Sequence, residues 1–299
     1  MPLSLSCNSD CQKAAEGILY VVATPIGNLE DITLRAVRVL GEVEIIAAED
    51  TRHTSRLLSH LEITARLVSC HEHNEAKRSE SLIAKIRGGA SVALVSDAGT
   101  PSVSDPGFRL VRAAIESGIR VVPIPGVSAA VTALSVAGLP TDSFLFSGFP
   151  PRKKNKRKEQ LVVLAEEPRT LIFYDSPRRI QGFIGEIIDV MGDRTGVLSR
   201  EMTKLHEEFI RGKLSEIVAR LEEKPVVKGE CTLVVSGYEA GELAPPPPIA
   251  SLAEEILSAL SGGGKKTSAL AKALSKKYGF PKKTVYDEIL RLKGDGSQG

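Results

Sequence analysis

The sequence has few of the side chains that form stacking platforms, and it has little net charge. Its 299 residues include no tryptophan, and aromatic residues make up only 4%. Base stacking as the main mode of nucleic-acid recognition is therefore not indicated. The formal net charge at pH 7 is +2, so a charged partner must be recognised by local patches and not by the whole surface.

Cysteine is also scarce, which limits both disulfides and metal sites. The four cysteines are Cys7, Cys11, Cys70 and Cys231. Only the first two are close in sequence, and no second Cys or His pair stands at a spacing that would complete a tetrahedral site. We therefore expect reduced thiols, no bound metal and a cytoplasmic protein.

Long uninterrupted hydrophobic runs are missing as well. The stretch without charged side chains from Val121 to Thr141 is broken by several prolines and glycines, so it predicts a strand, a turn and a buried helix and not a membrane span. Residues 1–16 lack a basic segment followed by a continuous apolar core, so they are not typical of a secretory signal. We expect a disordered leader there, and no membrane partner.

Three loops that follow predicted strands are rich in glycine and proline: Ala23–Asn28, Ser96–Pro101 and Pro123–Ala129. None of them contains the G-x-G-x-x-G or G-x-x-x-x-G-K-[ST] pattern, which argues against ordinary dinucleotide or nucleoside triphosphate binding. Glycine and proline fix tight turns that let the backbone approach a small molecule, and Ser, Thr and Asp add directional contacts. The loops therefore predict a small-molecule site of another kind.

The order of strands and helices predicts two α/β domains. Short β-branched runs alternate with helical patterns in the first part, which indicates a parallel sheet covered on both faces; these strands are Leu19–Ala23, Val43–Ala48, Val92–Val95 and Val121–Ile124. A second set follows, with a hairpin edge at Phe209–Lys213, and predicts a mixed sheet; its other strands are Phe144–Ser147, Thr170–Tyr174, Thr195–Leu198 and Cys231–Val235.

These patterns give the expected domain organisation. We place an N-terminal α/β domain at residues 17–125 and a second at 126–242. Residues 243–299 begin with the stiff spacer Pro245–Pro248 and continue as a small helix-turn-helix-like module. From Lys265 to Lys293 this module has nine Lys and Arg against two acidic residues, and its composition suits RNA binding and a packing or dimerisation role equally well.

Six motifs, in order along the chain, resemble a known family. Four of them are similar to the tetrapyrrole methylase superfamily: TPIGNLEDIT (Thr24–Thr33), AAEDTRHTSRLL (Ala47–Leu58), SDAGTPSVSDPG (Ser96–Gly107) and PGVSA (Pro125–Ala129). FYDSPRR (Phe173–Arg179) and EMTKLHEE (Glu201–Glu208) resemble its branch that methylates the ribose 2′-hydroxyl of small-subunit ribosomal RNA. Where the family often has Ser-Pro-His-Arg this chain has Arg178, a permanent cation, so we expect no acid/base role there.

The resemblance implies both a fold and a function. It implies two α/β domains with S-adenosylmethionine in the cleft between them, and methylation of a cytidine ribose in the decoding region of 16S-type RNA. It also implies a homodimer, with the small subunit as an assembled substrate. The cofactor residues that it indicates are Pro25, Asp97, Thr100, Val103, Ser128, Ala129 and Tyr174.

Methyl transfer to a ribose hydroxyl requires aligned reactants and removal of a weakly acidic proton. Charged residues that follow predicted strands could hold a phosphate or accept that proton. The catalytic candidates are Asp50, Arg52, Lys204 and Glu207. A structural ion-pair network would explain the same residues.

A dense basic run follows Pro150–Pro151. Its cations are Arg152, Lys153, Lys154, Lys156, Arg157 and Lys158. Such a run repels itself and gains from counterion release when it binds RNA, so we favour phosphate contacts over a merely solvated loop.

Two other functions share parts of the pattern. A precorrin-type C-methyltransferase would have the same loops but no need for the basic run or the C-terminal helices. A nucleic-acid-binding regulator that senses a small ligand would use those helices and show no turnover.

Overall fold

The structure, a computed structural model, describes residues 17–223, 226–239, 255–256, 259, 267–278 and 282–295. The predicted leader at residues 1–16 and the Pro245–Pro248 spacer lie outside the described residues. The chain divides into two compact units, Met1–Gly237 and Tyr238–Gly299. Both α/β halves lie in the first unit, and their division into domains at residue 125 stays a prediction.

The first sheet is parallel, as the alternating pattern predicts. Its strands run in the order β3-β2-β4-β1-β5: β1 (Ile18–Val22), β2 (Ile45–Ala48), β3 (Arg66–Ser69), β4 (Val92–Val95) and β5 (Arg120–Ile124). Strands β2 and β4 are buried at every position, as expected for inner strands covered on both faces. The sequence pattern missed β3, because this short edge strand begins with the exposed Arg66 and is only half-buried after it.

Helices cover both faces of this sheet: α1 (Leu34–Glu42), α2 (Thr51–His60), α3 (Glu75–Arg87) and α4 (Phe108–Glu116). Side-chain caps fix the starts of the first two, because Thr33 accepts the Ala36 amide and Asp50 accepts the Arg52 amide. One core lies under α1 and α2, and another under α3 and α4.

The second sheet is mixed, as predicted. Its strands run in the order β6-β7-β10-β8-β9: β6 (Phe144–Gly148), β7 (Thr170–Asp175), β8 (Thr195–Arg200), β9 (Glu208–Lys213) and β10 (Cys231–Val235). Only β6 and β7 pair in parallel. The predicted hairpin edge at Phe209–Lys213 is confirmed as β9. The associated helices are α5 (Ala129–Ser135), α6 (Lys154–Val163), α7 (Ile180–Met191) and α8 (Leu214–Glu222).

Backbone contacts hold the strand-end loops of the first sheet together. Thr24 and Gly99 exchange amide-to-carbonyl hydrogen bonds at 2.9 and 3.0 Å, and the Thr24 hydroxyl donates to the Ser96 carbonyl at 3.1 Å. Helix α5 follows β5 and packs on the second sheet through Ala130 and Ala133, which contact Ile172. The loops of the first sheet therefore face one side of the second sheet.

The C-terminal unit contains two described helices, α9 (Thr267–Tyr278) and α10 (Lys282–Asp295). The sequence predicts one helix with Thr267 as its N-cap and another with Pro281 at its first position, and the described helices begin at Thr267 and at Lys282. Their buried apolar side chains form a small core of their own. The sequence also predicts an amphipathic helix marked by Leu252, Ile256, Leu257 and Leu260, and most of it lies outside the described residues.

In the parts of the chain that the structure describes, no helix is both long and apolar enough to cross a membrane.

Candidate active site

A cavity of about 390 Å³ lies between the loops of the first sheet and one face of the second. We call it the first cavity. Six of the seven residues proposed for the cofactor line its walls: Asp97, Thr100, Val103, Ser128, Ala129 and Tyr174. The seventh, Pro25, lies on the wall of a neighbouring cavity. Segments far apart in sequence thus meet as the motifs predict.

The loop after β4 forms one wall, and its backbone is unusually bent. Ser102 and Ser104 have φ of 70° and 66°, a region that side chains other than glycine rarely adopt. The Thr100 hydroxyl donates to the Val127 carbonyl at 3.1 Å. This bond ties the loop to the turn after β5, so the two walls of the cavity are fixed relative to each other.

Glu75 anchors the far end of the same loop. It is buried, and its Oε1 accepts the amides of Gly107, Arg109 and Leu110 at 2.7–3.2 Å. The carboxylate thus satisfies the first amides of α4, where the helix dipole favours a negative charge. Gly107 has φ of 131°, so a residue with a side chain would strain this turn.

Carboxylates dominate the polar lining of the first cavity. Burial, and then the charge of Glu49 nearby, raises the pKa of Asp105 to about 7, while a Ser96 hydrogen bond acts in the opposite direction. Burial also raises the pKa of Glu49, although the Asp97 amide opposes the shift. Since these groups share one small volume, the cavity favours a positively charged ligand.

The opposite side of the first cavity is aromatic and apolar. The Tyr174 hydroxyl accepts the Ala130 amide at 2.9 Å, and burial raises the pKa of this phenol. Phe146 and Phe149 pack edge-to-face on its ring, with centroids 4.9 and 5.5 Å away. Phe149 is 56% exposed, so an aromatic surface is available to a planar ligand.

A second cavity, of about 400 Å³, adjoins the first. The two cavities share four wall residues, Ile26, Asp97, Ala98 and Glu230. The remaining walls of the second cavity come from the loop after β1, from α2 and from Lys204. Two ligands could therefore meet where Asp97 and Glu230 lie.

Of the four predicted catalytic residues, only Lys204 lines one of these two cavities, the second. Its ammonium contacts carboxylate oxygens of Glu201 and Glu230, each at 3.0 Å. Burial by itself would lower the pKa of Lys204, but the hydrogen bonds to these two carboxylates outweigh it and the pKa is raised. Lys204 is therefore protonated at neutral pH and cannot serve there as the proton acceptor.

The other three predicted catalytic residues line neither cavity. Asp50 caps α2 and accepts from the Arg52 guanidinium at 2.6 Å, which holds the pKa of Asp50 well below its usual range. The Arg52 side chain is 86% exposed. Glu207 accepts the Thr203 amide at 2.7 Å and so holds the bend that presents Lys204. These contacts account for Asp50 and Glu207 structurally, and catalytic roles for all three residues stay predictions.

Several wall residues were not selected from the sequence. Asp105 stands in the same motif as Asp97, but only burial against other carboxylates distinguishes it. Glu230 and Phe149 have no local signal, because long-range packing brings them to the site.

The basic run forms the beginning of α6, and one of its cations is not available to a partner. Arg157 pairs with Glu186 at 2.5 and 2.7 Å and also donates to the Pro151 carbonyl at 3.0 Å. The exposed cations are Arg152, Lys153, Lys154, Lys156 and Lys158. The N-terminus is the positive end of the helix dipole, and these cations add to that positive charge. An anion would therefore bind favourably there.

Two thiols lie in the described part of the chain, and one of them, Cys231, lines the first cavity. Cys70 and Cys231 are buried and free, and burial raises their thiol pKa values to about 11 and about 12. Among the described residues, no group of three or more His, Cys, Asp or Glu is placed to hold a metal ion.

Comparisons with known proteins agree on a family. The family model for tetrapyrrole (corrin/porphyrin) methylases matches residues 18–218. A protein of Micromonospora olivasterospora named ribosomal RNA small subunit methyltransferase I is 46% identical over 93% of this chain and 88% of its own length. A protein of the same name from Escherichia coli O157:H7 is 51% identical over 76% of this chain and 80% of its own length.

Solved structures share the fold. The crystal structure of uroporphyrin-III-C-methyltransferase from Thermus thermophilus is 25% identical, with a TM-score of 0.52, and the match covers 74% of this chain and 94% of that one. The structure of such an enzyme complexed with S-adenosyl homocysteine is 21% identical, with a TM-score of 0.54, and the match covers 74% of this chain and 97% of that one.

Proposed function

The chain belongs to the family of tetrapyrrole (corrin/porphyrin) methylases, and we propose that it uses S-adenosylmethionine to methylate a cytidine ribose 2′-hydroxyl in the decoding region of small-subunit ribosomal RNA. The observation that carries this proposal is the identity of 46% over 93% of the chain with a protein named as a small-subunit ribosomal RNA methyltransferase. The target atom and its position in the RNA rest on the resemblance of the motifs at Phe173–Arg179 and Glu201–Glu208.

The first cavity suits S-adenosylmethionine in the charge and in the aromatic character of its lining. The cofactor has a positively charged sulfur and an ammonium group, which suit the carboxylates Glu49, Asp97 and Asp105. Its adenine suits the aromatic side formed by Phe149 and Tyr174. We propose that Thr100, Val103, Ser128 and Ala129 hold it through the two tied loops, with Pro25 at the edge. When bound, the cofactor supplies an electrophilic methyl group.

The residues between the cavities orient the acceptor and remove its proton. Two carboxylates line both cavities, Asp97 and Glu230. Glu230 is paired with the Lys204 ammonium, whereas Asp97 accepts only the Asp50 backbone amide, at 3.0 Å, among the hydrogen bonds of the described residues. We assign the proton of the ribose hydroxyl to Asp97. Protonated Lys204 then serves as a positioning group, and the Asp50–Arg52 pair and Glu207 keep the surrounding backbone in place.

The exposed cations at the start of α6 support an RNA substrate. Five of the six cations of the run are exposed, and phosphate contacts of this type contribute most of the non-specific affinity for RNA. We further propose that the enzyme acts as a homodimer on assembled subunits in the cytoplasm, since dispersed contacts require preformed RNA shape.

A tetrapyrrole acceptor is the second candidate. It is favoured by the fold shared with uroporphyrin-III-C-methyltransferase. Sequence identity of 46–51% to proteins named for ribosomal RNA outweighs that likeness. The regulator hypothesis has no comparable support.

Methyl transfer in vitro tests the proposal. Purified protein is incubated with labelled S-adenosylmethionine and small subunits from cells lacking the gene, and the RNA is digested to nucleosides. We expect label in 2′-O-methylcytidine. Label on an added tetrapyrrole, or on another nucleoside, would refute the proposed acceptor, and specific duplex binding without any transfer would favour a regulator.

A further inference from the structure

The second cavity has the position and size expected for the group that receives the methyl. Its volume of about 400 Å³ lies in the range of small-molecule sites. It shares Asp97 and Glu230 with the first cavity, so its occupant would meet the contents of the first cavity at those carboxylates.

One wall contains a buried hydroxyl that the protein leaves without a partner. Thr54 lines the second cavity and is only 3% exposed. Its Oγ1 has no hydrogen-bond partner among the described residues. Such a buried hydroxyl is destabilising by itself, and its retention calls for an explanation such as a ligand that supplies the missing bond.

A second wall is fixed by close packing. The Asn28 amide donates to the Thr203 hydroxyl at 3.1 Å. A Cβ at Gly27 would lie 2.5 Å from Lys204 Cγ and 2.7 Å from Thr203 Oγ1. The loop after β1 and the Lys204 bend therefore touch and together form this wall.

The exposed face of α2 beside this cavity is basic. His53 and Leu57, one turn apart, line the cavity. Arg52, Arg56 and His60 are exposed at successive i, i+4 positions, so they form one stripe next to the lining residues. The second cavity shares the carboxylates Asp97 and Glu230 with the first, but it has this basic stripe beside it, and the stripe suits phosphates.

We propose that the second cavity binds the acceptor nucleoside of an RNA strand, and that the Arg52–Arg56–His60 stripe contacts the phosphates that flank it, chiefly through Arg56 because Arg52 is paired with Asp50. This inference rests on the proposed function and adds the acceptor site to it. Thr54 supplies a hydrogen bond to the nucleoside, and Lys204 and Glu230 close the opposite side.

Two cavity variants test the nucleoside site. Thr54→Val removes only the hydroxyl, and Leu57→Trp fills the cavity from a half-buried position. Ile115→Trp on α4, 63% exposed and in neither cavity, is the matched control. We expect Thr54→Val to raise the KM for small subunits about fivefold or more with no loss in Tm. We expect Leu57→Trp to abolish methyl transfer, while its affinity for S-adenosylmethionine, measured by calorimetry, stays within about threefold of the wild type.

Contrary results would separate the alternatives. If Thr54→Val lowers Tm and activity in proportion, the hydroxyl is structural. If Leu57→Trp weakens cofactor binding as strongly as transfer, the second cavity belongs to the cofactor site. Full transfer by both variants would overturn the proposal.

The stripe is tested by binding, which does not require turnover. Arg56→Gln is compared with Arg87→Gln, an exposed arginine in the last turn of α3. With S-adenosylhomocysteine present, we expect Arg56→Gln to reduce the slope of log affinity for small subunits against log salt by about 0.7–0.9, one phosphate contact, and Arg87→Gln to leave it unchanged. Equal slopes in both variants would refute the proposed contact between the stripe and the phosphates.

The wild-type protein distinguishes failure of this site from failure of the proposed function. If the wild type binds small subunits without methylating them, the proposed function is refuted. The two arginine variants would still test whether the stripe contacts phosphates. If the wild type neither binds nor methylates small subunits, both proposals fail. Wild-type methylation with unaffected cavity variants refutes the acceptor site alone.

Discussion

Asp105 provides a test of whether the first cavity is built for a cation. Burial and neighbouring carboxylates raise the pKa of its carboxyl to about 7. At pH 7 and without a ligand, about half of the molecules therefore have a protonated Asp105. A cationic ligand would favour the charged form. Cofactor affinity should therefore rise with pH as Asp105 ionises.

The size of the effect follows from the titration. The ionised fraction at pH 6 is about one tenth of that at pH 8, so the affinity for S-adenosylmethionine should be about tenfold lower at pH 6, a difference of about 1.4 kcal/mol. Asp105→Asn should bind more weakly than the wild type at pH 8 by about tenfold or more, and should lose this dependence on pH.

The same substitution should stabilise the protein when no cofactor is present. Because folding raises the pKa of Asp105, the folded state binds more protons than the unfolded state between about pH 4 and 7, and stability falls as pH rises through that window. After a discount for solvent screening, Asp105→Asn should gain about 1–2 kcal/mol at pH 8, or about 2–6 °C in Tm, and little at pH 4.

Isothermal calorimetry and thermal melts from pH 6 to pH 8 would check both effects. Asp142→Asn, exposed and outside the two cavities, is the matched control. A wild-type affinity that is flat over this range, or an Asp105→Asn variant that retains the slope, would contradict the electrostatic argument.

Four further substitutions test the roles of other residues. Thr100→Trp should abolish cofactor binding in calorimetry without unfolding the chain, and unchanged affinity would remove this loop from the site. Lys204→Ala should lower kcat about tenfold or more with cofactor Kd within about threefold, because its ammonium positions Glu201 and Glu230; equal losses in Tm and activity would indicate a structural role. Arg157→Ala should lower the free energy of unfolding in urea melts by about 2 kcal/mol, since it leaves Glu186 unpaired. Lys156→Ala should leave stability unchanged and weaken binding to small subunits. The opposite pattern would show that Arg157 and not Lys156 contacts RNA.

The strand pattern predicted the fold well where burial is uniform. Strands β4 and β10 have the predicted bounds, because both are apolar and buried along their whole length. Strand β3 was missed because an edge strand with an exposed Arg66 has no clear period. Local motifs therefore suffice for inner strands and not for the edge.

Only some residues of the site could be predicted from the sequence. Residues in the Gly/Pro loops, such as Thr100 and Ser128, reach the first cavity because both loops follow the carboxyl ends of strands of one parallel sheet, β4 and β5 on either side of β1. The charged candidates were less predictable, since the contact that pairs Lys204 with Glu230 is long-range, and Arg157 is paired with Glu186 of α7. No local pattern reports such contacts.

The most direct test of the proposed function is a comparison of small-subunit ribosomal RNA from cells with and without the gene. Nuclease fragments of the decoding region are analysed by mass spectrometry in wild-type cells, in the deletion strain, and in the deletion strain carrying the gene or its Asp97→Asn variant. We expect one 2′-O-methylcytidine to be lost on deletion, restored by the wild-type gene, and not restored by the variant. A decoding region with the same ribose methylation in the wild-type and deletion strains would contradict the account.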